Sequence, residues 1–185
     1  MFMYLHDESG SAFRKLCGEF GRKQGLLEIL GKMIQSDERE CQVFAAKSVG
    51  YLCTTAHLRA KARKIGVVER LVPFAVGKDA TLELQVTCLN SLLNLSLDSE
   101  AQAIIGRMAL ESLFELSIGG GRLGDHNGGV AKGAEQRERV QKTARKLLDN
   151  LTHNAKNRTR FYKIELGRKF HFKELEGGRG EGGGG

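Results

Sequence analysis

The sequence GVVERLVPFAVGKDATLELQVTCLNSLLNLSLDSEAQAII, from Gly66 to Ile105, decides the fold of this chain. Its apolar residues recur at the three- and four-residue spacing of one helix face. The stretch therefore predicts three helical pieces, which are Val67–Val76, Glu83–Leu97 and Ser99–Ile105, with Gly106 ending the last.

Shifted copies of the same unit lie on both sides of this stretch. The GVVERL sequence at Gly66 matches GLLEIL at Gly25 and MALESL at Met108, at spacings of 41 and then 42 residues. A period of about 40 to 47 residues is typical of stacked helical repeats. We therefore expect a repeated helical unit and an all-α fold.

The longest predicted helices, Glu38–Thr54, Glu83–Leu97 and Glu135–His153, also align with one another. The second and third are 13 residues further apart than the first and second, because a glycine-rich stretch at 119–133 intervenes. Glycine disfavours helix, so this stretch is predicted to be a loop. The aligned positions include Gln42, Gln85 and Gln141, then Ala45, Cys88 and Ala144, and then Val49, Leu92 and Leu148.

These positions divide the 185-residue chain into a lead-in at 1–10, a repeat domain at 11–166 and a tail at 167–185. The tail is basic and then glycine-rich, a composition that predicts disorder. Within the domain, three units are expected at about 25–65, 66–107 and 108–166, with partial helices at both ends. The sequence leaves open whether the chain is a complete small array or part of a longer one.

Composition narrows the class of protein. The chain is 41% hydrophobic, which is enough for a core, and carries a net charge of +7. Neither a secretory signal nor a membrane-spanning apolar run is expected, so we predict a cytoplasmic or nuclear protein. The four cysteines have no metal-binding spacing, and we predict that Cys41, Cys53 and Cys88 pack as small apolar residues, with no metal or cofactor.

The second unit resembles the armadillo repeat family in its residues. That family opens a repeat with Gly-Ile-x-x-Leu-Val and ends its third helix with Leu-x-Asn-Leu-Ser. Here the corresponding residues are Gly66, Val67, Val68, Leu71 and Val72, followed by LLNLS at 92–96. The resemblance covers about 11–166 and implies a right-handed α-solenoid of about three armadillo-like repeats. It also implies a non-enzymatic scaffold whose third helices line a groove for extended partner segments.

The resemblance places the partner-binding residues on the third helices. An asparagine of each third helix commonly holds the partner's backbone in this family, and Asn94 and Asn150 occupy that position, whereas the first unit has Tyr51. Four residues earlier the importin-type members carry tryptophan, and this chain does not. The lysines on the same face predict an extended acidic or phosphorylated protein segment as partner. The predicted groove residues are Lys47, Asn90, Asn94, Lys142, Lys146 and Asn150.

The basic and aromatic stretch KNRTRFYKIELGRKFHFK, at 156–173, supports an alternative. Such interleaving can bind single-stranded nucleic acid through phosphate contacts and base stacking. In the favoured interpretation, Phe161, Ile164 and Leu166 form the buried side of a final helix. A third alternative is a fragment of a longer repeat array with no partner of its own.

Enzymatic activity is not expected from this sequence. The five histidines have no cysteine, serine or carboxylate at a catalytic spacing. The glycine-rich loop lacks the Gly-Lys-Ser or Gly-Lys-Thr ending of a phosphate-binding loop, and no strand is predicted before it.

Overall fold

The computed structural model describes Glu19, residues 25–119 and residues 130–177. Every regular element in these ranges is an α-helix, so the described part of the chain is all-α. The predictions for the lead-in and for most of the first helix, at 11–22, lie outside the described residues. The helices are α1 (Leu26–Met33), α2 (Arg39–Leu52), α3 (Ala56–Lys64), α4 (Val67–Val76), α5 (Leu82–Leu95), α6 (Ser99–Ser117), α7 (Val130–Thr152) and α8 (Ala155–Gly177).

Two glycines begin helices, as their positions in the sequence predict. Gly25 precedes α1 with φ 85° and Gly66 precedes α4 with φ 78°. Side chains other than glycine are strained in this left-handed region of backbone space. The shared pattern at Gly25 and Gly66 therefore marks the same backbone turn, and α4 has the predicted bounds Val67–Val76.

Helix α5 lies at the centre of the packing. It contacts α2, α7 and α4, while α4 also contacts α1 and α6. Leu84, Leu89, Leu92 and Leu95 of α5 are fully buried. Burial of this apolar surface is the main force that holds the helices together.

The aligned glutamines have related positions in the structure. Gln42 Nε2 donates a hydrogen bond to the Ser36 carbonyl oxygen at 2.6 Å, and Gln85 Nε2 donates one to the Gly77 carbonyl oxygen at 2.8 Å. Each glutamine thus anchors the connection that precedes its own helix. The side chain of Gln141 likewise lies against Gly119, in the segment that follows α6.

The expected end of a helix at Gly106 is wrong. α6 runs without a break from Ser99 to Ser117 and includes both Gly106 and Met108. The glycine serves packing instead, because a Cβ atom at this position would meet the side chain of Asn157 in α8. Asn157 is only 2% exposed and donates from Nδ2 to the Gln102 carbonyl oxygen at 2.8 Å.

Two further boundaries differ from the predictions. α7 begins at Val130, within the stretch that we predicted to be a loop at 119–133. α8 continues to Gly177, past the start of the tail predicted at 167–185. Residues 120–129 and 178–185 lie outside the described part of the chain, so the remainder of these two predictions stays untested.

Candidate partner-binding surface

The six predicted site residues lie on the three helices that pack side by side. Lys47 is on α2, Asn90 and Asn94 are on α5, and the other three are on α7. We call the exposed side of these helices the α2–α5–α7 surface and define it by Lys47, Asn90, Asn94, Lys142, Lys146 and Asn150. The three lysines are exposed and the three asparagines are half-buried.

Two of the asparagines use their amide nitrogens to join neighbouring helices. Asn94 Nδ2 donates to the Gly50 carbonyl oxygen of α2 at 3.0 Å. Asn150 Nδ2 donates to Ser96 Oγ at 3.0 Å, and this hydroxyl must accept because its own proton goes to the Leu93 carbonyl oxygen at 2.7 Å. These bonds fix the orientation of both amides, and neither amide oxygen accepts a hydrogen bond from another described residue.

The contact between α2 and α5 has a second hydrogen bond one turn away. Ser91 Oγ lies 2.7 Å from the Ala46 carbonyl oxygen. The helices approach closely here because position 50 is glycine, where a Cβ atom would lie 2.7 Å from Ser91 Oγ. The bonds of Asn94 to Gly50 and of Ser91 to Ala46 therefore hold α2 and α5 together beside Lys47 and Asn90. The predicted role of Asn94 in partner binding did not include this contact between helices.

The charge on the surface is uneven. Lys47, Lys142 and Lys146 form no ion pair with any described residue. The exposed carboxylates of Glu40 and Glu83 lie two turns before Lys47 and Asn90, at the start of α2 and α5. Glu40 and Glu83 thus put negative charge at the N-terminal edge of α2 and α5, while α7 carries both the lysines and the exposed Asp149 next to Asn150.

Phe44, on α2, is an exposed aromatic residue close to Lys47 of this surface. Its side chain is 62% exposed, and it precedes Lys47 by one turn. Large aromatic side chains often supply the central contact of a protein interface. A comparison of aligned positions could have identified it, since Thr87 and Thr143 occupy the equivalent places in the other two units.

Two of the cysteines, Cys53 and Cys88, are buried in the described part of the chain. Burial raises the pKa of Cys53 to about 12, against a small opposite effect of nearby Arg59, and burial likewise raises the pKa of Cys88 to about 12. Both thiols are thus protonated at neutral pH, and both are buried as predicted. Cys41 is half-buried, and no cluster of three metal-binding side chains occurs among the described residues.

The aromatic residues of the C-terminal stretch have different surroundings. Phe161 packs edge-on against Phe114 of α6, with 5.6 Å between the ring centroids. Arg168 lies 5.4 Å above the same Phe114 ring and pairs with Glu115 at 2.9 Å. Phe161 and Arg168 are therefore occupied by contacts within the protein, whereas Tyr162 is exposed. The side chains of Phe170 and Phe172 lie outside the described set.

Hydropathy and comparison with other proteins add two facts. Throughout the part of the chain that the structure describes, no helix has the length and apolar character needed to cross a membrane. The chain matches no known protein-family model, and a search of curated proteins finds no match.

Proposed function

We propose that the chain is an armadillo-like α-solenoid that acts as a non-enzymatic interaction module. Its α2–α5–α7 surface binds an extended acidic or phosphorylated segment of another protein. The proposal rests on the resemblance at 66–105, on the side-by-side contacts of the three helices, and on the chemistry of their exposed side.

One observation carries the proposal. Lys47, Asn90 and Lys146 occupy the same aligned position on three adjacent helices, and the two lysines have no ion-pair partner among the described residues. Unpaired amines attract carboxylates and phosphates, and charge-assisted hydrogen bonds to them are stronger than neutral ones. An acidic segment crossing α5 would have a lysine on either side.

The fixed asparagine amides support an extended backbone as ligand. Because one N–H group of each amide is bonded within the protein, both amides have a fixed orientation, and each offers its oxygen and its second N–H group to a partner. A backbone N–H group is a donor in every residue except proline, so this contact does not depend on the partner's side chains. Phe44 adds an apolar contact near Lys47, at the α2 end of the surface.

Selection from a random library of short peptides tests the proposal. We expect the wild-type chain to enrich peptides with aspartate, glutamate or phosphoserine and without helix-forming bias. The double variant Lys47→Glu and Lys146→Glu should lower the affinity for the selected peptides by at least about tenfold. A control variant, Lys64→Glu with Lys78→Glu, makes the same charge change at exposed lysines on other elements.

The control decides the interpretation. Retained binding by the Lys64 and Lys78 variant, with lost binding by the Lys47 and Lys146 variant, supports a localised site. Equal loss in both would mean that net charge alone attracts the peptides, and the proposed site would be wrong. The asparagines are unsuitable for this experiment because Asn94 and Asn150 also hold helices together.

A further inference from the structure

A second basic site lies away from the α2–α5–α7 surface, between α6 and α8. It is a pocket of about 350 Å³. Its walls come from residues 106–112 of α6 and from Arg160, Lys163 and Ile164 of α8. We propose that this pocket binds an organic phosphate monoester, with the phosphate held by cationic side chains and an apolar body against the α6 wall.

The charge of the pocket matches that ligand. Arg107, Arg160 and Lys163 line it, and none of the three side chains forms an ion pair or hydrogen bond with another described residue. Among the described residues of the lining, Glu111 is the one carboxylate. Three cations and one carboxylate leave a net charge of +2, and a phosphate monoester carries about −1.5 to −2 at neutral pH.

The chemistry of the cations favours phosphate over a single carboxylate. Each guanidinium can donate two parallel hydrogen bonds to a phosphate, and the lysine adds a point charge. Arg160 and Lys163 are three residues apart on α8, a spacing that puts both side chains on one helix face. Arg107 faces the pocket from the opposite helix.

The α6 wall supplies an apolar surface beside the charges. Ala109 and Leu110 are buried in the core but still line the pocket, and Met108 is partly exposed above them. Ile164 adds an apolar contact from α8. A volume of this size is at the lower end of the range for small-molecule sites, so a phosphate with a small organic body fits.

This inference does not depend on the proposed protein partner, because no residue of the pocket belongs to the α2–α5–α7 surface. It also differs from general attraction of the basic C-terminal stretch to nucleic acid. Only two of the exposed basic residues on the first turns of α8 line the pocket, while Lys156 and Arg158 on the same helix do not.

Titration calorimetry with phenyl phosphate tests the proposal on the full chain. We expect one saturable site with a dissociation constant below about 5 mM. Inorganic phosphate should bind more weakly because it has no apolar body, and phenyl sulfate should bind more weakly because it carries a single charge. Equal affinity for inorganic phosphate would overturn the role of the apolar wall.

Matched variants locate the site. The double variant Arg160→Glu with Lys163→Glu should lower the affinity for phenyl phosphate by at least about tenfold. Lys156→Glu with Arg158→Glu makes the same charge change on the same helix and should leave the affinity within about twofold. Loss of binding in both pairs, or no saturable binding to the wild-type chain, would overturn the proposal.

A gain of affinity provides an independent measurement. Glu111→Gln removes the only carboxylate of the lining and keeps its size, so phenyl phosphate should bind several-fold more tightly. This variant tests the pocket even if the charge-reversed chains fold poorly. Unchanged or weaker binding by Glu111→Gln would contradict the proposed position of the phosphate.

Discussion

The amide nitrogen of Asn94 donates a hydrogen bond to the carbonyl oxygen of Gly50 at 3.0 Å and so joins α5 to α2. The residue that the family resemblance assigns to partner binding thus also has a structural role. Its neighbour Asn90 is half-buried on the same helix, and its side chain makes no hydrogen bond with a described residue. The two asparagines therefore form a natural comparison.

Asn94→Ala should lower the free energy of unfolding by about 1 kcal/mol more than Asn90→Ala. Both changes gain the same helix propensity, so the difference isolates the bond to Gly50. Urea unfolding followed by circular dichroism measures both values. Equal unfolding free energies for the two variants would show that the Asn94 bond contributes nothing net.

Gly106→Ala should destabilise the protein, although alanine is the better helix former. The added Cβ atom would meet the side chain of buried Asn157, and overpacking of this kind costs about 1 to 3 kcal/mol. Gly167→Ala is the matched control on α8, because a Cβ atom there has nothing within 4 Å. That control should gain up to about 1 kcal/mol. Thermal unfolding of the two variants should thus shift in opposite directions, and a rise for Gly106→Ala would contradict the close packing of α6 on α8.

Asp98 both caps the start of α6 and forms an ion pair with Arg63. Its carboxylate accepts a hydrogen bond from the Ala101 amide at 2.8 Å and pairs with Arg63 Nε of α3 at 3.1 Å. Asp98→Ala should lower the free energy of unfolding by about 2 kcal/mol, and Asp98→Asn, which keeps the cap, by about 1 kcal/mol. The difference in unfolding free energy between Asp98→Ala and Asp98→Asn measures the helix cap and should persist in concentrated salt. The difference between wild type and Asp98→Asn measures the ion pair and should shrink, because salt screens it. Salt-independent values for that second difference would rule out the ion pair as its cause.

The buried thiols should make stability fall at alkaline pH. The pKa of Cys53 and of Cys88 is about 12 in the folded chain, against an ordinary value of 9.0. The folded state therefore keeps these protons between those pH values while the unfolded state releases them, so stability is complete below pH 9 and declines as pH rises toward 12. Cys53→Ala with Cys88→Ala should flatten this part of the pH profile, as measured by urea unfolding at increasing pH.

The same pKa values predict slow chemical labelling. In a Cys17→Ser and Cys41→Ser background, the native thiolate fraction at pH 8 should be about 1,000-fold below that of the unfolded chain, since each pKa unit is a factor of ten. Mass spectrometry after maleimide treatment, with and without urea, measures the ratio. Native labelling within about tenfold of the unfolded rate would contradict the burial of Cys53 and Cys88.

Much of the fold follows from local patterns in the sequence. The apolar pattern after Gly66 predicted α4 at Val67–Val76, and the apolar period predicted the core face of α5. Gly106 misled the same reasoning. Gly106 is needed because the side chain of Asn157, about fifty residues later, packs against it. No local pattern distinguishes a glycine that ends a helix from one that lets another helix pack closely.

The site was predicted in part. The lysines of the α2–α5–α7 surface are exposed as amphipathic spacing indicates, but the exposure of Phe44 depends on how α2 packs against α5. The α6–α8 pocket could not be predicted from the sequence, because its lining also depends on how two helices pack. Arg107 lies more than fifty residues from Arg160, and only the crossing of the two helices places them in one lining.

The unbroken helix α6 also has a mechanical consequence. Its 19 residues form a rod about 28 Å long that passes through the expected boundary between the second and third units. The boundary between the first and second units instead contains Gly66, outside any helix and in a left-handed turn. Under tension or bending the two junctions should respond differently. The second junction is one continuous helix and should bend only as a rod, whereas movement at the first would first have to separate α2 from α5 and α1 from α4.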